Sequence, residues 1–249
     1  GNQAALPSKM AAAPIGPPSK AVYEIDIVNV KPKYFLQYLQ IIQGGVQLME
    51  KHGAKVLGYW MVEAGAASGP EVVFFTKSDS LDARSARMEK MLGDPEVIKF
   101  MSVRARYIYG AENYVCLNIP AIPMSPIQPG AKILLETVKC RGFPVLTVGK
   151  MMEMFSMWDK YVGPNGPKPV GLFRPLAYSK PCVIGLFPSA PDGKFDGLFE
   201  VYGKMVTDPH NWPKLAEIHD RAEEQSVRVL SPIRFDLLPK GGVEDCKVQ

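Results

Sequence analysis

His52-Gly53-Ala54-Lys55-Val56-Leu57-Gly58-Tyr59-Trp60 returns later in the chain as Asn165-Gly166-Pro167-Lys168-Pro169-Val170-Gly171-Leu172-Phe173. The two glycines, the lysine and the closing aromatic stay in register at an offset of 113 residues. Working outward, Tyr23-Glu24 corresponds to Leu135-Glu136 at an offset of 112, and Gly93-Asp94-Pro95 corresponds to Thr207-Asp208-Pro209 at 114. Spacing kept over so long a stretch marks a duplicated structural unit.

The first unit reads as strand, helix, strand, strand, helix pair, strand. Val22 to Val28 is short and β-branched and ends at Lys31-Pro32, which suits a strand followed by a turn. Phe35, Tyr38, Leu39, Ile42, Val46 and Met49 recur at the three- and four-residue spacing of an amphipathic helix, and Gly53 supplies its left-handed stop. Ala54 to Val62 and Glu71 to Thr76 read as strands joined through Gly65 to Pro70. Asp79 and Ser80 can cap one helix, and Asp94 with Pro95 a second. A last strand covers Glu112 to Ile119.

The second unit repeats this order with Ile133 to Val138, a helix from Leu146 to Val162, strands near Val170 to Leu176 and Cys182 to Phe187, helices after Asp192 and Asp208, and a strand from Val227 to Leu237. This is the order of a ferredoxin-like α+β plait. Val72-Val73-Phe74-Phe75 is apolar on both faces of its strand, so the sheet face without helices must also be covered. The expected fold is therefore α+β: two tandem ferredoxin-like units packed sheet to sheet, an intramolecular dimeric α+β barrel. Expected boundaries are a Pro/Ala-rich, disordered segment at 1–20, units at 21–119 and 131–238, a Pro-rich linker at 120–130, and a tail at 239–249. Pro120, Pro123, Pro126 and Pro129 recur every third residue, the repeat of a stiff polyproline II spacer.

Hydrophobic residues make up 47% and charged residues 22% of the 249, enough apolar surface to offset the entropy of folding. A net charge of +4 with alternating signs along the chain gives no basic block, so nucleic acid is not an expected partner. No apolar run is long enough to span a bilayer. Cys116, Cys140, Cys182 and Cys246 lie far apart without C-x-x-C spacing and read as reduced thiols in an intracellular compartment. No targeting segment is visible, since residues 1–20 contain no arginine and no continuous apolar centre.

Several motifs together resemble the NIPSNAP family: Tyr23-Glu24 in the first strand, Glu50-Lys51-His52-Gly53-Ala54-Lys55 running into Gly58-Tyr59-Trp60, Gly93-Asp94-Pro95-Glu96 opening a helix, and Gly130 before the second unit. The resemblance covers residues 21 to 237 and implies the same tandem plait fold. It also implies a mitochondrial location, peripheral membrane association and a scaffolding role that recruits autophagy proteins; otherwise the chain is expected in the cytoplasm. Two departures stand out: Asp26 follows the first Tyr-Glu pair where the family tends to have an apolar residue and arginine, and Val72 to Phe75 replaces an aromatic strand with histidine.

Catalytic signatures are missing. His210 and His219 are nine residues apart, on opposite sides of a helix, so no metal site is expected. Gly149-Lys150 lacks both the first glycine and the Ser or Thr of a phosphate loop. Ser68 stands outside any nucleophile elbow, and the D-x-D pair needed for a phosphatase, to which the family acronym alludes, is absent. No catalytic residue and no cofactor is therefore expected.

Candidate positions remain. Glu24 and Glu136 are expected to face the barrel interior, held by arginines or amides, or else to act as paired acid–base groups. Tyr59, Trp60, Phe173, Arg174 and His52 could line a cleft, by analogy with single-plait relatives that bind haem or aromatic substrates. His52 closes a helix, where a cation meets the dipole favourably. Met151, Met152, Met154 and Met157 with Phe155 and Trp158 read as core packing or an adaptable pocket. Phe195 and Leu198 form an aromatic-x-x-aliphatic segment for a protein partner, and Phe235 to Leu238 a second. The favoured function is a partner-binding scaffold. The alternatives are a small-molecule binder or cofactor-free monooxygenase-like enzyme, and a structural subunit of an assembly, with oligomerisation left open.

Overall fold

The computed structural model describes residues 20–66, 69–120, 124–141, 149, 153, 158–162, 167–176 and 182–237. In the first unit, β1 (Val22–Val30) leads into α1 (Phe35–Lys51), then β2 (Lys55–Ala64), β3 (Glu71–Ser78), α2 (Leu81–Leu92), α3 (Pro95–Tyr107) and β4 (Ile108–Asn118). The second contains β5 (Ile133–Cys140), α4 (Trp158–Val162), β6 (Gly171–Pro175), β7 (Cys182–Pro188), α5 (Asp196–Thr207), α6 (Trp212–Arg221) and β8 (Ala222–Pro232). All eight strands join antiparallel in one closed barrel, in the order β1-β3-β2-β8-β5-β7-β6-β4. Each unit keeps the plait order, and the units meet at two seams, β2 on β8 and β4 on β6. The intramolecular dimeric α+β barrel expected from the repeat is the fold observed.

Alternation along β1 decides what lies inside. Tyr23, Ile25 and Ile27 join Trp60, Val73, Phe75, Tyr114, Cys116, Ile133, Leu135, Phe173, Ile184 and Leu230 in one buried cluster to which every strand contributes, so this cluster fills the barrel. Its centre is aromatic: the Phe173 ring sits 5.3 Å from both Tyr23 and Phe75. Opposite-parity residues of β1 and β3, Val28, Val72 and Phe74, pack outside the barrel against Tyr38, Leu39, Ile42 and Val46 of α1. A matching outer core in the second unit joins Leu134, Val138 and Phe187 to Leu198, Val201 and Met205 of α5 and Leu215 and Ile218 of α6. From the linker, Met124 and Ile127 rest on the barrel cluster, and Ser125 donates its backbone N–H to Val170 O at 3.0 Å.

The seams carry their own constraints. Glu71 of β3 and Arg228 of β8 form a buried ion pair at 2.7 Å that ties the first unit to the second. Removing one partner of such a pair strands a charge away from water. Gly65, just after β2, has φ +85°, and a Cβ there would meet the carbonyl oxygen of Val227 at 2.0 Å. Gly65→Ala is expected to cost at least about 2 kcal/mol, whereas Gly53→Ala, with the same φ but nothing within 4 Å, costs about 1 kcal/mol. Urea denaturation of both variants checks the contrast; equal losses would mean that the seam tolerates the methyl group.

The repeated Asp-Pro turns also acquire a reason. Asp94 caps α3, its Oδ1 accepting the Glu96 N–H at 2.8 Å, while Oδ2 meets Lys51 Nζ at 3.1 Å and His52 Nε2 at 2.8 Å. Asp208 plays a related part in the turn before α6, accepting the His210 N–H at 2.9 Å and bonding Lys160 and Tyr161. The backbone N–H and His52 hold the Asp94 carboxyl at about 2, and Tyr161 and the His210 N–H hold that of Asp208 at about 2. Asp94 thus fastens the end of α1 to the start of α3, and Asp208 ties α4 to the turn that precedes α6.

Candidate functional site

Two helices of the first unit place arginine where an aliphatic residue would normally face the core. On α2, Arg84, Arg87, Met88 and Met91 fall at i, i+3, i+4 and i+7, the spacing of one helix face; on α3, Val97, Phe100, Met101 and Arg104 repeat the pattern. Both faces look onto the outer surface of β1, β3 and β4, beneath α1, and enclose a cavity of about 420 Å³. The cavity is amphipathic. Glu24, Asp26, Arg84, Arg87, Arg104 and Asn113 supply polar groups, and Ile42, Met49, Phe74, Met88, Met91 and Phe100 supply apolar surface. Gly45 on α1 makes room for the Phe100 ring, which approaches to 2.3 Å from where a Cβ would lie.

Glu24 is buried and bridged by both α2 arginines: Arg84 Nε lies 2.9 Å from Oε1, and Arg87 pairs with Oε2 while donating to Ser78 Oγ. Asp26, two residues on and half-buried, accepts from Asn113. Burial raises its pKa above the ordinary carboxylate value, assisted by the neighbouring Glu24 charge and opposed by the Asn113 bond and the Arg104 and Arg84 charges. Asp26 is therefore the group in this cavity best placed to hold a proton. Among the described residues Arg104 makes no ion pair, and its one hydrogen bond there is from Nε to the Tyr38 hydroxyl at 3.4 Å. Burial raises the Tyr38 phenol pKa. Ala111 and Asn113, both exposed, stand where the cavity opens.

The second unit carries a reduced counterpart. Its cavity, about 190 Å³, is lined mainly by Leu134, Val138, Phe187, Leu198, Met205 and Ile218. Glu136 lies in it, half-buried, with Gln225 as its hydrogen-bond donor and no arginine among the described lining residues. Burial raises the Glu136 carboxyl pKa.

Glu24 and Glu136 thus lie on the outer, helix-covered face, not in the barrel interior as expected. The reason is physical: eight strands close on a dry apolar core, and a carboxylate there would have no partner, whereas α2 brings two guanidinium groups to the outer face. Of the expected cleft, Tyr59 and Trp60 border one cavity of about 640 Å³ together with Gly58, Ala131 and Phe235, and Phe173, Arg174 and His52 are not among its lining residues. Trp60 and Phe173 point into the barrel, Arg174 is exposed, and His52 is engaged with Asp94. Tyr59 lies on the outer face, 5.2 Å from the Phe235 ring. The Phe195 and Leu198 segment is not offered to a partner, because Leu198 is buried and Phe195 packs against the same core. Met151, Met152, Met154, Phe155 and Met157 lie outside the described residues, as does Leu238; Trp158 is buried and stacks on Phe187 at 5.8 Å.

Buried thiols offer no nucleophile. Desolvation raises the Cys116 pKa and pushes that of Cys182 up to about 12, and Cys140 is buried as well. No group of three or more metal-ligating side chains occurs among the described residues. Among the same residues, no helix is long and apolar enough to cross a membrane.

A barrel closed by two plaits, with an amphipathic cavity between sheet and helices, defines the dimeric α+β barrel class. Residues 23–121, the unit that carries the arginine-lined cavity, match the NIPSNAP family model. Solved structures share the whole architecture. An anthrone oxidase-like protein aligns with a TM-score of 0.57 at 9% identity, covering 86% of this chain and 92% of that one. A putative monooxygenase from Lactobacillus acidophilus gives 0.55 at 11% identity over 85% and 93%. Chlorite dismutase from Candidatus Nitrospira defluvii gives 0.54 at 9% over 86% and 92%. At such identities the likeness is one of fold. A comparison with curated protein sequences finds no match.

Proposed function

We propose that the protein binds a small molecule in the cavity between sheet and helices of its first unit. The observation that carries this reading is the convergence of three arginines, from the core-facing stripes of α2 and α3, on a space of about 420 Å³. Burying cations is costly unless they are paired or used, and a purely structural cluster would close upon itself instead of lining a void. The volume falls within the range of ordinary ligand pockets. Scaling from the ~150 Å³ that holds benzene, it takes a ligand of about 15 non-hydrogen atoms. A haem is far larger, and no histidine lines the cavity among the described residues, so the residues do not fit that group. Asp26, with its raised pKa, is the group through which a cofactor-free, monooxygenase-like proton abstraction would run.

Fluorescence titration with Prodan, a neutral apolar dye of about the size that the cavity takes, tests the reading. The wild type is expected to bind it, and Met88→Trp, which fills the cavity from α2, is expected to abolish binding with unchanged far-ultraviolet circular dichroism. Dye binding unaffected by Met88→Trp would overturn this use of the cavity.

A second reading, recruitment of protein partners, is favoured by Phe199, Tyr202 and Trp212, large side chains left exposed on α5 and α6. The autophagy partners and mitochondrial location implied by the family resemblance belong to this reading. Capture of an autophagy receptor by the wild type and its loss in Trp212→Ala would support it; equal capture by both would remove this surface from consideration.

A further inference from the structure

We propose that the ligand of the first-unit cavity is an apolar compound bearing one carboxylate head, with Arg104 as the residue that anchors the head and the methionine-rich wall as the seat of the body. This rests on the reading that the cavity binds a small molecule and specifies its chemical class.

Charge is unevenly spread in the cavity. Two of its three arginines, Arg84 and Arg87, are taken up by Glu24. Arg104 is not: among the described residues it forms no ion pair, and its one hydrogen bond there is to the Tyr38 hydroxyl, at 3.4 Å. A guanidinium offers five donors in a planar fork that matches a carboxylate, so most of the donor capacity of Arg104 faces the cavity unclaimed. The nearest candidate counter-charge, Asp26, already accepts from Asn113, and burial moves it towards the neutral acid. A protonated Asp26 would present an O–H to the same head group instead of repelling it. The cluster therefore carries at least one positive charge in excess, half-buried on α3 near the open end at Asn113.

The body of the ligand is specified by the other wall. Met49, Met88, Met91 and Met101, from three helices, surround the remaining space with Phe74 and Phe100. Thioether side chains adapt to rings and to chains alike, so an aromatic acid and a medium-chain fatty acid share the required chemistry. The second unit acts as a built-in control. Its smaller cavity has Gln225 beside Glu136 and no arginine among the described lining residues, so one acid is expected per chain.

Native mass spectrometry and isothermal titration calorimetry with the full chain separate the terms. The probes are 2-naphthylacetate, 2-(2-naphthyl)ethanol as its uncharged analogue, and dodecanoate. Expected is one acid per chain, binding the wild type at least about tenfold more tightly than the alcohol, the margin of a charge-assisted contact. Arg104→Gln should bring the naphthyl acid down to the level of the alcohol without changing the alcohol's own affinity, and Arg104→Lys should restore part of the difference. Whether dodecanoate or the naphthyl acid binds more tightly distinguishes chain from ring within the class. Equal binding of acid and alcohol, or an acid affinity indifferent to Arg104→Gln, overturns the carboxylate assignment while Prodan binding that Met88→Trp blocks still upholds the cavity. Absence of binding by every probe, the dye included, overturns both.

Discussion

Truncating Phe173 to alanine lowers the stability of the whole molecule by about 3–5 kcal/mol, and both units register the loss together. Phe173 comes from the second unit, yet its ring partners, Tyr23 and Phe75, belong to the first. The side chain is fully buried in a cluster to which every strand contributes. A void at that point removes contacts across the barrel, and the closed hydrogen-bonded ring leaves little freedom to collapse around it. Guanidinium denaturation followed separately through Trp60, in the barrel, and Trp158, in the outer core of the second unit, checks this. One shared transition, displaced for both probes, is expected; displacement at Trp158 alone would show that the units unfold independently.

Replacing Arg87 with alanine is expected to cost about 3–5 kcal/mol, because it leaves the buried Glu24 carboxylate with one cation instead of two. Ser78 loses its guanidinium donor at the same time. Arg104→Gln, on a side chain without an ion pair, serves as the comparison and should cost less than about 1 kcal/mol. If the large loss arises from a stranded charge, the double variant Glu24→Gln, Arg87→Leu should recover a substantial part of it. Urea denaturation of the three variants at neutral pH decides: a double variant no more stable than Arg87→Ala would assign the loss to packing.

The architecture was legible because it is written twice. Gly53 falls where α1 needs its left-handed stop, Asp94-Pro95 where α3 begins, and Asp208-Pro209 in the turn before α6, and local chemistry governs such places. Strand alternation was legible too, but its sense was not. Tyr23, Ile25 and Ile27 face one way and Glu24 and Asp26 the other, and nothing in β1 says which side the helices cover; placing the carboxylates inside the barrel was the wrong choice. The signal that resolves it lay in α2, where Arg84 and Arg87 occupy the apolar stripe, a position that arginine seldom takes unless paired, and both pair with Glu24. Tyr59 and Trp60 show a related ambiguity. As adjacent strand residues they turn their side chains to opposite sides, yet both border one cavity, which Phe173 and Arg174 do not line.

Joining both halves of the barrel in one chain changes what dilution and mutation can do to it. In a barrel assembled from two separate, identical subunits, folding is inseparable from protomer concentration, and every substitution appears twice about the axis. Here the Pro-rich connection holds the β2–β8 and β4–β6 seams in a single molecule, so the barrel persists at any concentration, and each position answers for itself alone. That independence is what allows arginines to gather beside Glu24 while Gln225 suffices beside Glu136: each half lines a cavity of its own, and the two linings are free to differ.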